Sequence, residues 1–311
     1  MDEKFITAVI PAYNFNKVGF LIKSIDSVLN QKYNNFDVCV ITEGDKLTNH
    51  VKSTYKDSEC VSIIQMQNNT GGISAARNEG IKHAEGEIIA YLDSDAVADE
   101  NWLKELNKVY VENKNIVAVG GKSEPNWISK QPWYLPDEFL WLVGVTHKGH
   151  PPHDSIIRSA FGCNMSFRKN IFSEIGYFDD SLGKNHGFNL QGEEPDIGIR
   201  INKQYDTGTY YTDKAVVMHS IEEYQTSIKW LVKRAYFQGL TKYIIKNKYE
   251  NLELSTENNY LNYLLLNRIP HYIKCMLFNF KFKIPAQSIF WILFFTFFVG
   301  IGYIRGHINY S

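Results

Sequence analysis

Two carboxylates stand two residues apart at the end of an apolar run, in the segment Tyr91-Leu92-Asp93-Ser94-Asp95. Side chains at positions i and i+2 of an extended chain share a face, so Asp93 and Asp95 are predicted to point the same way. Two like charges that close repel each other unless a cation lies between them. Mg²⁺ or Mn²⁺ suits such carboxylate oxygens, with phosphates and waters as its other ligands. The alternative for an Asp-x-Asp pair is a turn or a helix N-cap.

Polar residues also follow the first two predicted strands. Pro11 and Ala12 come directly after an apolar run, and Pro11 is predicted to end that strand because proline cannot donate a ladder hydrogen bond. Tyr13 could then lie against a flat ring. Glu43 follows the second strand and could accept hydrogen bonds from a base or a ribose. These positions predict a nucleotide contact.

A glycine-containing loop, residues 69–78, follows the third predicted strand and leads into a helix. Gly72 allows a ligand to approach the backbone closely, and a helix N-terminus favours an anionic phosphate. Arg77 adds a fixed positive charge. The alternative is an ordinary strand-to-helix loop with Ser74 as its N-cap.

The elements that must hold these loops alternate along the first 120 residues, as in βαβ units with a mostly parallel sheet. Helical spacing of apolar residues predicts helices over 18–29, 74–84 and 101–112. The strands are predicted at 5–10, 36–42, 61–66, 87–92 and 116–120. Ligands of such sheets bind outside the carboxyl ends of the strands, where all four loops are predicted to lie.

Composition limits the classes of function. The 311 residues include 33 Lys and Arg against 34 Asp and Glu, so whole-molecule charge does not favour nucleic acid as a partner. The four cysteines lie far apart with no zinc spacing, which favours a reducing cytosolic environment. The N-terminus lacks the pattern of a secretory signal.

The second half of the chain changes character. Residues 123–160 are rich in tryptophan, proline and histidine with little periodicity, which predicts a long functional loop or lid. Regular structure is predicted to resume with a strand at 162–168, a helix at 192–202 and a strand at 215–219. A helical pattern over 225–247 is predicted to close the globular domain.

The tail differs again, because residues 284–304 contain no charged side chain. At 1.5 Å per residue that length spans a bilayer core of ~30 Å. The preceding segment, 263–282, mixes apolar residues with Arg268, His271 and Lys274, as an interfacial amphipathic helix does. The tail is therefore predicted to attach the protein to a membrane. The alternative is a buried C-terminal helix or an oligomer contact.

The combination of Val9–Tyr13, Gly72–Asn78 and Asp93–Asp95 resembles family 2 glycosyltransferases of the GT-A fold, over about residues 5–245. The resemblance implies an α/β, Rossmann-like sheet flanked by helices, followed here by a hydrophobic helical tail. It also implies nucleotide contacts from Tyr13 and Glu43. The family usually has Asp where this chain has Glu43, so Asp45 is an alternative contact.

The resemblance further implies a catalytic base in the segment Gly192–Asp196, which is similar to the family's Gly-Glu-Asp-x-Asp. Glu194 is assigned as the base, with Glu193 as its rival; an acidic first turn that complements the helix dipole fits the same residues. His219 is implied to face the metal or the diphosphate; the alternative is a structural histidine at the end of an apolar strand. The predicted donor-binding residues are Pro11, Ala12, Tyr13, Glu43, Gly72, Arg77, Asp93, Ser94 and Arg234; the predicted metal ligands are Asp95, Asp93 and His219; the predicted acceptor-binding residues are Trp141, Asn164 and Trp230.

Segments around Trp141, 162–168 and Trp230 are most similar to archaeal members that act on dolichyl-phosphate-linked sugars. The predicted function is inverting, Mg²⁺- or Mn²⁺-dependent transfer from a nucleotide sugar, UDP-hexose or UDP-uronic acid, to a lipid-linked saccharide acceptor. The predicted location is the cytosolic face of the cell membrane. Residues 1–250 are predicted to form the transferase domain, with halves 1–122 and 123–250, and 251–311 the membrane-associated tail. The alternatives are a soluble polysaccharide-modifying transferase and a non-catalytic nucleotide-sugar-binding protein.

Overall fold

The computed structural model describes residues 3–67, 72–151, 154–183, 190–249, 255–278 and 282–310. Within these residues the strands are β1 Ile6–Ala12, β2 Phe36–Thr42, β3 Val61–Gln65, β4 Ile88–Leu92, β5 Ala96–Ala98, β6 Ala118–Trp127, β7 Ser155–Ile157, β8 Asn164–Arg168 and β9 Thr209–Ile221. The α-helices are α1 Val18–Leu29, α2 Asp45–Thr54, α3 Gly72–His83, α4 Trp102–Glu112, α5 Phe172–Ile175, α6 Glu193–Tyr205, α7 Ile228–Lys248, α8 Ser255–Tyr263, α9 Ile269–Phe278 and α10 Lys283–Tyr310.

The described strands form one sheet in the order β3-β2-β1-β4-β8-β6-β9-β5, with β7 paired to β9. The first four positions in this order are parallel, as the βαβ pattern predicts. From β4 onward the pairs β4–β8, β6–β8, β5–β9 and β7–β9 are antiparallel. The carboxyl ends of the parallel strands therefore meet at one edge, beside strands that run the other way.

The chain divides into two compact units. The first comprises Met1–Asn126, Pro151–Asn189 and Glu193–Ser220; the second comprises Trp127–His150, Leu190–Gly192 and Ile221–Ser311. These limits differ from the domain boundaries predicted at 122 and 250, because 127–150 and α7 cluster with the tail. The segment predicted to be an irregular lid begins within the end of β6 and contains a 3₁₀ helix, Asp137–Val143, and β7; residues 152–153 lie outside the described part.

The sheet of the first unit is covered on both faces, which explains why its strands are apolar without alternation. In β4, Ile88, Ala90 and Leu92 pack in one buried cluster with residues of α1, α2 and α4. Ile89 and Tyr91 pack in another cluster with residues of α3, α5 and α6. The site residues that follow β4 are thus fixed by a strand buried on both sides.

The prediction that Pro11 ends the first strand is wrong. Strand β1 continues to Ala12, and Pro11 pairs with Ile41 of β2. The Glu43 amide donates to the Ala12 carbonyl at 3.1 Å. The backbone polar groups of Ala12 therefore point toward β2, and the backbone nitrogen of its neighbour Pro11 points toward the β4 side. Because β1 and β4 pair only as far as Val9 and Tyr91, the N–H that proline lacks has no ladder partner to lose.

Candidate active site

A tight turn after β4 places the two aspartates. The Ala96 amide donates to the Asp93 carbonyl at 3.0 Å, and the chain then enters the short strand β5. Ser24 of α1 also donates its hydroxyl to the Asp93 carbonyl, at 3.2 Å. Asp93, Ser94 and Asp95 are half-buried. A turn rather than an extended segment therefore brings the Asp93 and Asp95 side chains to the same place.

His219 joins this pair from β9, because Ala96 of β5 lies opposite it in the antiparallel register. The His219 Nε2 is 3.3 Å from Asp95 Oδ1, and the Ser220 amide donates to the Asp95 carbonyl at 2.9 Å. The ammonium of Lys17 lies 3.9 Å from Asp95 Oδ2. Strand pairing, rather than loop flexibility, thus determines where the imidazole stands.

The predicted metal ligands meet in space. Ligand atoms of Asp93, Asp95 and His219 all lie within 4.8 Å of one another. Two carboxylate oxygens and one imidazole nitrogen can hold a divalent cation such as Mn²⁺ or Mg²⁺ and leave positions for phosphate oxygens and water. The chemistry and spacing of this donor set fit the predicted cofactor.

Arg77 of α3 connects the aspartates to the predicted base. Its guanidinium is 2% exposed, with Nη2 3.7 Å from Asp93 Oδ1 and Nη1 3.2 Å from Glu194 Oε1. Glu193 Oε1 is 3.3 Å from the same Nη1. Burial acts to lower the pKa of Arg77, but the three carboxylates, led by Glu194, raise the pKa above its ordinary value. Arg77 therefore stays charged inside the site.

Burial also makes the ionised form of Asp93 less favourable. Its pKa is raised, first by loss of solvation and then by the nearby carboxylates of Asp95 and Glu194, while Arg77 and His219 act in the opposite direction. Three acidic groups in one partly closed space favour an added positive charge. A divalent cation would supply that charge.

Glu193 and Glu194 begin α6, and Pro195 lies in its first turn, where a missing N–H costs no helical bond. The Glu193 side chain is 4% exposed and the Glu194 side chain 18%. Two residues on, Asp196 is buried and pairs with Arg200 at 2.8 Å. Of the two adjacent glutamates, Glu194 offers the more accessible carboxylate.

Gly162 is a site residue that the sequence did not reveal. A Cβ built at this position would lie closer than 3.0 Å to both Arg77 Nη2 and Glu194 Oε1. The backbone before β8 therefore covers the ion pair at a distance that only glycine permits. A glycine just before a predicted strand is too common a signal to identify this role.

The predicted nucleotide loops lie at the carboxyl ends of β1 and β2. Pro11 and Ala12 are buried in β1, whereas Tyr13 is 62% exposed. Glu43 is half-buried next to Ala12. Gly72 begins α3 with φ +62°, a left-handed conformation that glycine adopts readily. Residues 69–71 of the predicted phosphate loop lie outside the described residues.

Asn164 is placed inside the sheet rather than on an acceptor surface. Its side chain is fully buried, and its amide donates to the carbonyls of Lys122 and Ala215, both at 2.9 Å. Its Oδ1 accepts the indole N–H of Trp102 at 2.9 Å. These bonds tie β8 to neighbouring elements. Asn164 therefore has a buried structural role instead of the predicted contact with an acceptor.

Three predicted site residues belong to the second unit. Trp141 lies in the 3₁₀ helix with its ring 5.5 Å from Phe139, and Trp230 lies in α7. The Arg234 guanidinium stands 5.7 Å from the Trp230 ring, and its Nε donates to the Leu142 carbonyl at 3.1 Å. Their roles toward donor and acceptor stay predictions.

Comparison with known sequences identifies relatives. The model of "Glycosyl transferase family 2" matches residues 7–176. A glucosyl-dolichyl phosphate glucuronosyltransferase of Haloferax volcanii is 30% identical over 302 residues, which cover 97% of this chain and 96% of that protein. An uncharacterized glycosyltransferase of Rickettsia typhi is 28% identical over 191 residues, covering 60% of this chain and 57% of its own.

Solved structures share the fold. A mannosyltransferase from Pyrobaculum calidifontis in complex with GDP-Man and Mn²⁺ superposes with a TM-score of 0.63 at 12% identity, covering all of this chain and 89% of the other. TarS 1–349 of S. aureus in complex with UDP-GlcNAc gives a TM-score of 0.54 at 15% identity, covering 94% and 81%. The predicted GT-A architecture is confirmed at the level of the fold.

Proposed function

Because this chain belongs to glycosyl transferase family 2 and is a glycosyltransferase, we propose that it moves a sugar from a nucleotide sugar to a lipid-linked saccharide. The proposed donor is a UDP-hexose or UDP-uronic acid, and the proposed acceptor is a sugar on dolichyl or another polyprenyl phosphate. The name of the Haloferax volcanii relative, which aligns along 97% of the chain, supports this choice.

The proposal rests on one observation within the first unit. The candidate metal ligands are connected through Arg77 to Glu194. Asp93 contacts the guanidinium that also holds Glu194, and Asp95 and His219 lie beside Asp93. Asp93, Asp95 and His219 would hold Mg²⁺ or Mn²⁺. When bound, such an ion neutralises the negative charge that develops on a departing diphosphate.

Glu194 would act as the general base. Its carboxylate takes the proton of the acceptor hydroxyl while the hydroxyl oxygen forms a bond to the anomeric carbon. The bond from that carbon to the diphosphate breaks, and the nucleoside diphosphate leaves with the electron pair. A single displacement of this kind inverts the anomeric configuration. Glu193 is the alternative base, and Arg77 orients whichever carboxylate acts.

Donor binding is proposed for the loops around this cluster. Pro11, Ala12 and Tyr13 would line the nucleoside with Glu43, and Gly72 would let the diphosphate approach the start of α3. Ser94 lies between the two aspartates. We also propose a diphosphate contact for Arg234, and acceptor contacts for Trp141 and Trp230.

Membrane attachment is proposed through the tail, on the cytosolic face. Within the described residues, one helix, Lys283–Asn309, is long and apolar enough to cross a membrane. A chain truncated near residue 250 that still copurified with membranes would show that attachment does not need this tail.

The proposed reaction is tested by following labelled UDP-glucose and UDP-glucuronic acid with glucosylated dolichyl phosphate, in Mn²⁺ and in EDTA. We expect Mn²⁺-dependent transfer, and a loss on the order of 100-fold or more in Asp95→Ala. The matched control is Asp57→Ala, which removes an exposed carboxylate. Full metal-stimulated transfer by Asp95→Ala would refute the metal assignment. Donor binding without product from any donor would instead support the non-catalytic alternative.

A further inference from the structure

Helix α10 has a long exposed apolar stripe. Its members recur every three or four residues, which places them on one side of the helix. They are Phe290, Leu293, Phe297, Ile301, Ile304 and Ile308, and each is between 36% and 65% exposed. At 1.5 Å per residue the stripe is roughly 27 Å long. A continuous face of this kind indicates a contact with something apolar.

The opposite side of α10 packs against α7 of the same unit. Trp291, Ile292 and Phe295 are buried in one cluster with residues of α7. A Cβ built on Gly239 would lie closer than 3.0 Å to the Val299 backbone, and one built on Gly302 would lie equally close to the backbone of α7. The two helices are therefore in backbone contact.

This packing continues along most of α10, in the same order on both helices. Gly239 lies against Val299, and further along Tyr243 contacts Tyr303 and His307. If α10 crossed a bilayer in this arrangement, the adjoining turns of α7 would have to enter the hydrocarbon as well.

Helix α7 is poorly suited to hydrocarbon. It contains six basic residues and no acidic ones. The basic residues are Lys229, Lys233, Arg234, Lys242, Lys246 and Lys248. Lys and Arg are among the least tolerated side chains at the centre of a bilayer. The α7–α10 pair therefore favours an arrangement in which α10 does not span.

The charge of the tail indicates which surface covers the stripe. The tail, residues 251–311, contains five Lys and Arg against two acidic residues, Glu253 and Glu257, and none of the acidic ones lies beyond position 257, although the whole chain has a net charge of −1. Lys274, Lys283 and Arg305 are exposed on α9 and α10. Basic residues beside an apolar stripe match the anionic headgroups and the upper acyl region of a membrane, where long basic side chains reach the phosphates.

We infer that α10 lies in the plane of the membrane, with its stripe inserted at the headgroup–acyl boundary of an anionic leaflet and with α7 on its other side. The inference rests on the membrane attachment proposed above and specifies its geometry. Helix α9 exposes further apolar residues, Ile273, Leu277 and Phe278. The enzyme is thus a monotopic protein, in which α10 enters one leaflet without crossing the bilayer.

Vesicle flotation tests whether the stripe of α10 binds an anionic membrane surface. Full-length protein is mixed with vesicles of phosphatidylcholine alone or with 30% phosphatidylglycerol. We expect tighter binding to the anionic vesicles, weakened by 1 M NaCl, and binding at least 10-fold weaker in Leu293→Gln/Phe297→Gln. The control, Ile156→Gln, changes a residue of β7 that is 53% exposed and should bind like wild type. No binding to either vesicle, with self-association through the stripe instead, would overturn the inference.

Thiol labelling on sealed inverted membrane vesicles distinguishes an α10 that lies in the plane of the membrane from one that spans the bilayer. Cys60 is exposed in the first unit and serves as an internal reference, whereas Cys39 and Cys163 are buried. A Cys275→Ser/Asn309→Cys chain is treated with a membrane-impermeant maleimide. We expect the thiol introduced at position 309 to be labelled to the same extent as Cys60, before detergent is added.

Labelling of that thiol only after detergent would mean that α10 spans, and would overturn the inference. Sugar transfer is measured on the same chains in detergent micelles, where no bilayer is needed. A failure of the proposed reaction and a failure of the membrane geometry are therefore seen in different experiments.

Discussion

Gly162→Ala is expected to damage catalysis by separating Arg77 from Glu194. The added methyl group would lie closer than 3.0 Å to Arg77 Nη2 and to Glu194 Oε1. The guanidinium has little freedom to move, because it is 2% exposed and also faces Asp93 and Glu193. The substitution therefore has to displace the ion pair that holds the proposed base.

The size of the effect follows from the bond that is lost. A hydrogen bond to a charged group contributes about 1.5–3 kcal/mol. If that energy positions Glu194 for proton transfer, kcat falls roughly 10- to 150-fold. Overpacking in a buried site costs a further ~1–3 kcal/mol of stability. We expect a chain that still folds, with a lower Tm and a larger loss of kcat than of donor binding.

The assay is the initial rate of sugar transfer at saturating donor, with Tm measured on the same samples. Gly19→Ala is the matched control, since a Cβ at that position in α1 meets nothing within 4 Å. It should keep wild-type kcat and gain up to about 1 kcal/mol of stability. Wild-type kcat in Gly162→Ala would refute the argument that the Arg77–Glu194 pair positions the base.

Arg77→Met should lower the free energy of unfolding by ~3–5 kcal/mol in urea denaturation, because three carboxylates lose their shared cation; a loss under ~1 kcal/mol would contradict this. Gly239→Ala should cost ~1–3 kcal/mol by forcing α7 from α10, whereas Gly300→Ala, whose Cβ meets nothing within 4 Å, should not; equal Tm values for the two would contradict the packing. Burial lowers the pKa of His147 in the folded chain to about 4, whereas the pKa in the unfolded chain is ~6.5. Between these two pH values only the unfolded chain binds the proton, so the free energy of unfolding falls as the pH drops from ~6.5 to about 4. His147→Phe should reduce that loss in Tm measurements across this range, and an unchanged pH profile would refute the assignment.

The parallel half of the fold could be predicted because each of its signals is local. Strands β1 to β4 are short apolar runs, the loops after them carry polar residues, and α1 has a clear apolar stripe. The antiparallel half depends on distant partners. Strand β5 has three residues, and its partner on β9 lies more than 100 positions away, so no local pattern indicates it.

The sequence indicated which residues belong to the candidate site, but not the hydrogen bonds and ion pairs that connect them. Asp93, Asp95 and His219 do come together. The bond from Arg77 to Glu194 joins residues 117 positions apart and could not be read from either segment. Asn164 illustrates the reverse case, because a polar residue in a strand looks the same in sequence whether it faces a ligand or bonds inside the sheet.

The tail shows a similar ambiguity. Apolar length alone gives the same signal for a spanning helix and for one that packs along a neighbour. What separates the two is the contact of Gly239 and Gly302 with the opposite backbones, which requires knowing that α7 and α10 are adjacent.

The most direct test of the catalytic assignment compares kcat in Glu194→Gln and Glu193→Gln at saturating Mn²⁺ and donor, with donor binding measured by thermal stabilisation. Glutamine keeps the shape but cannot accept the acceptor's proton. We predict that Glu194→Gln loses ~10²–10⁴-fold in kcat while donor still raises its Tm, and that Glu193→Gln loses less. Wild-type kcat in Glu194→Gln would contradict the account.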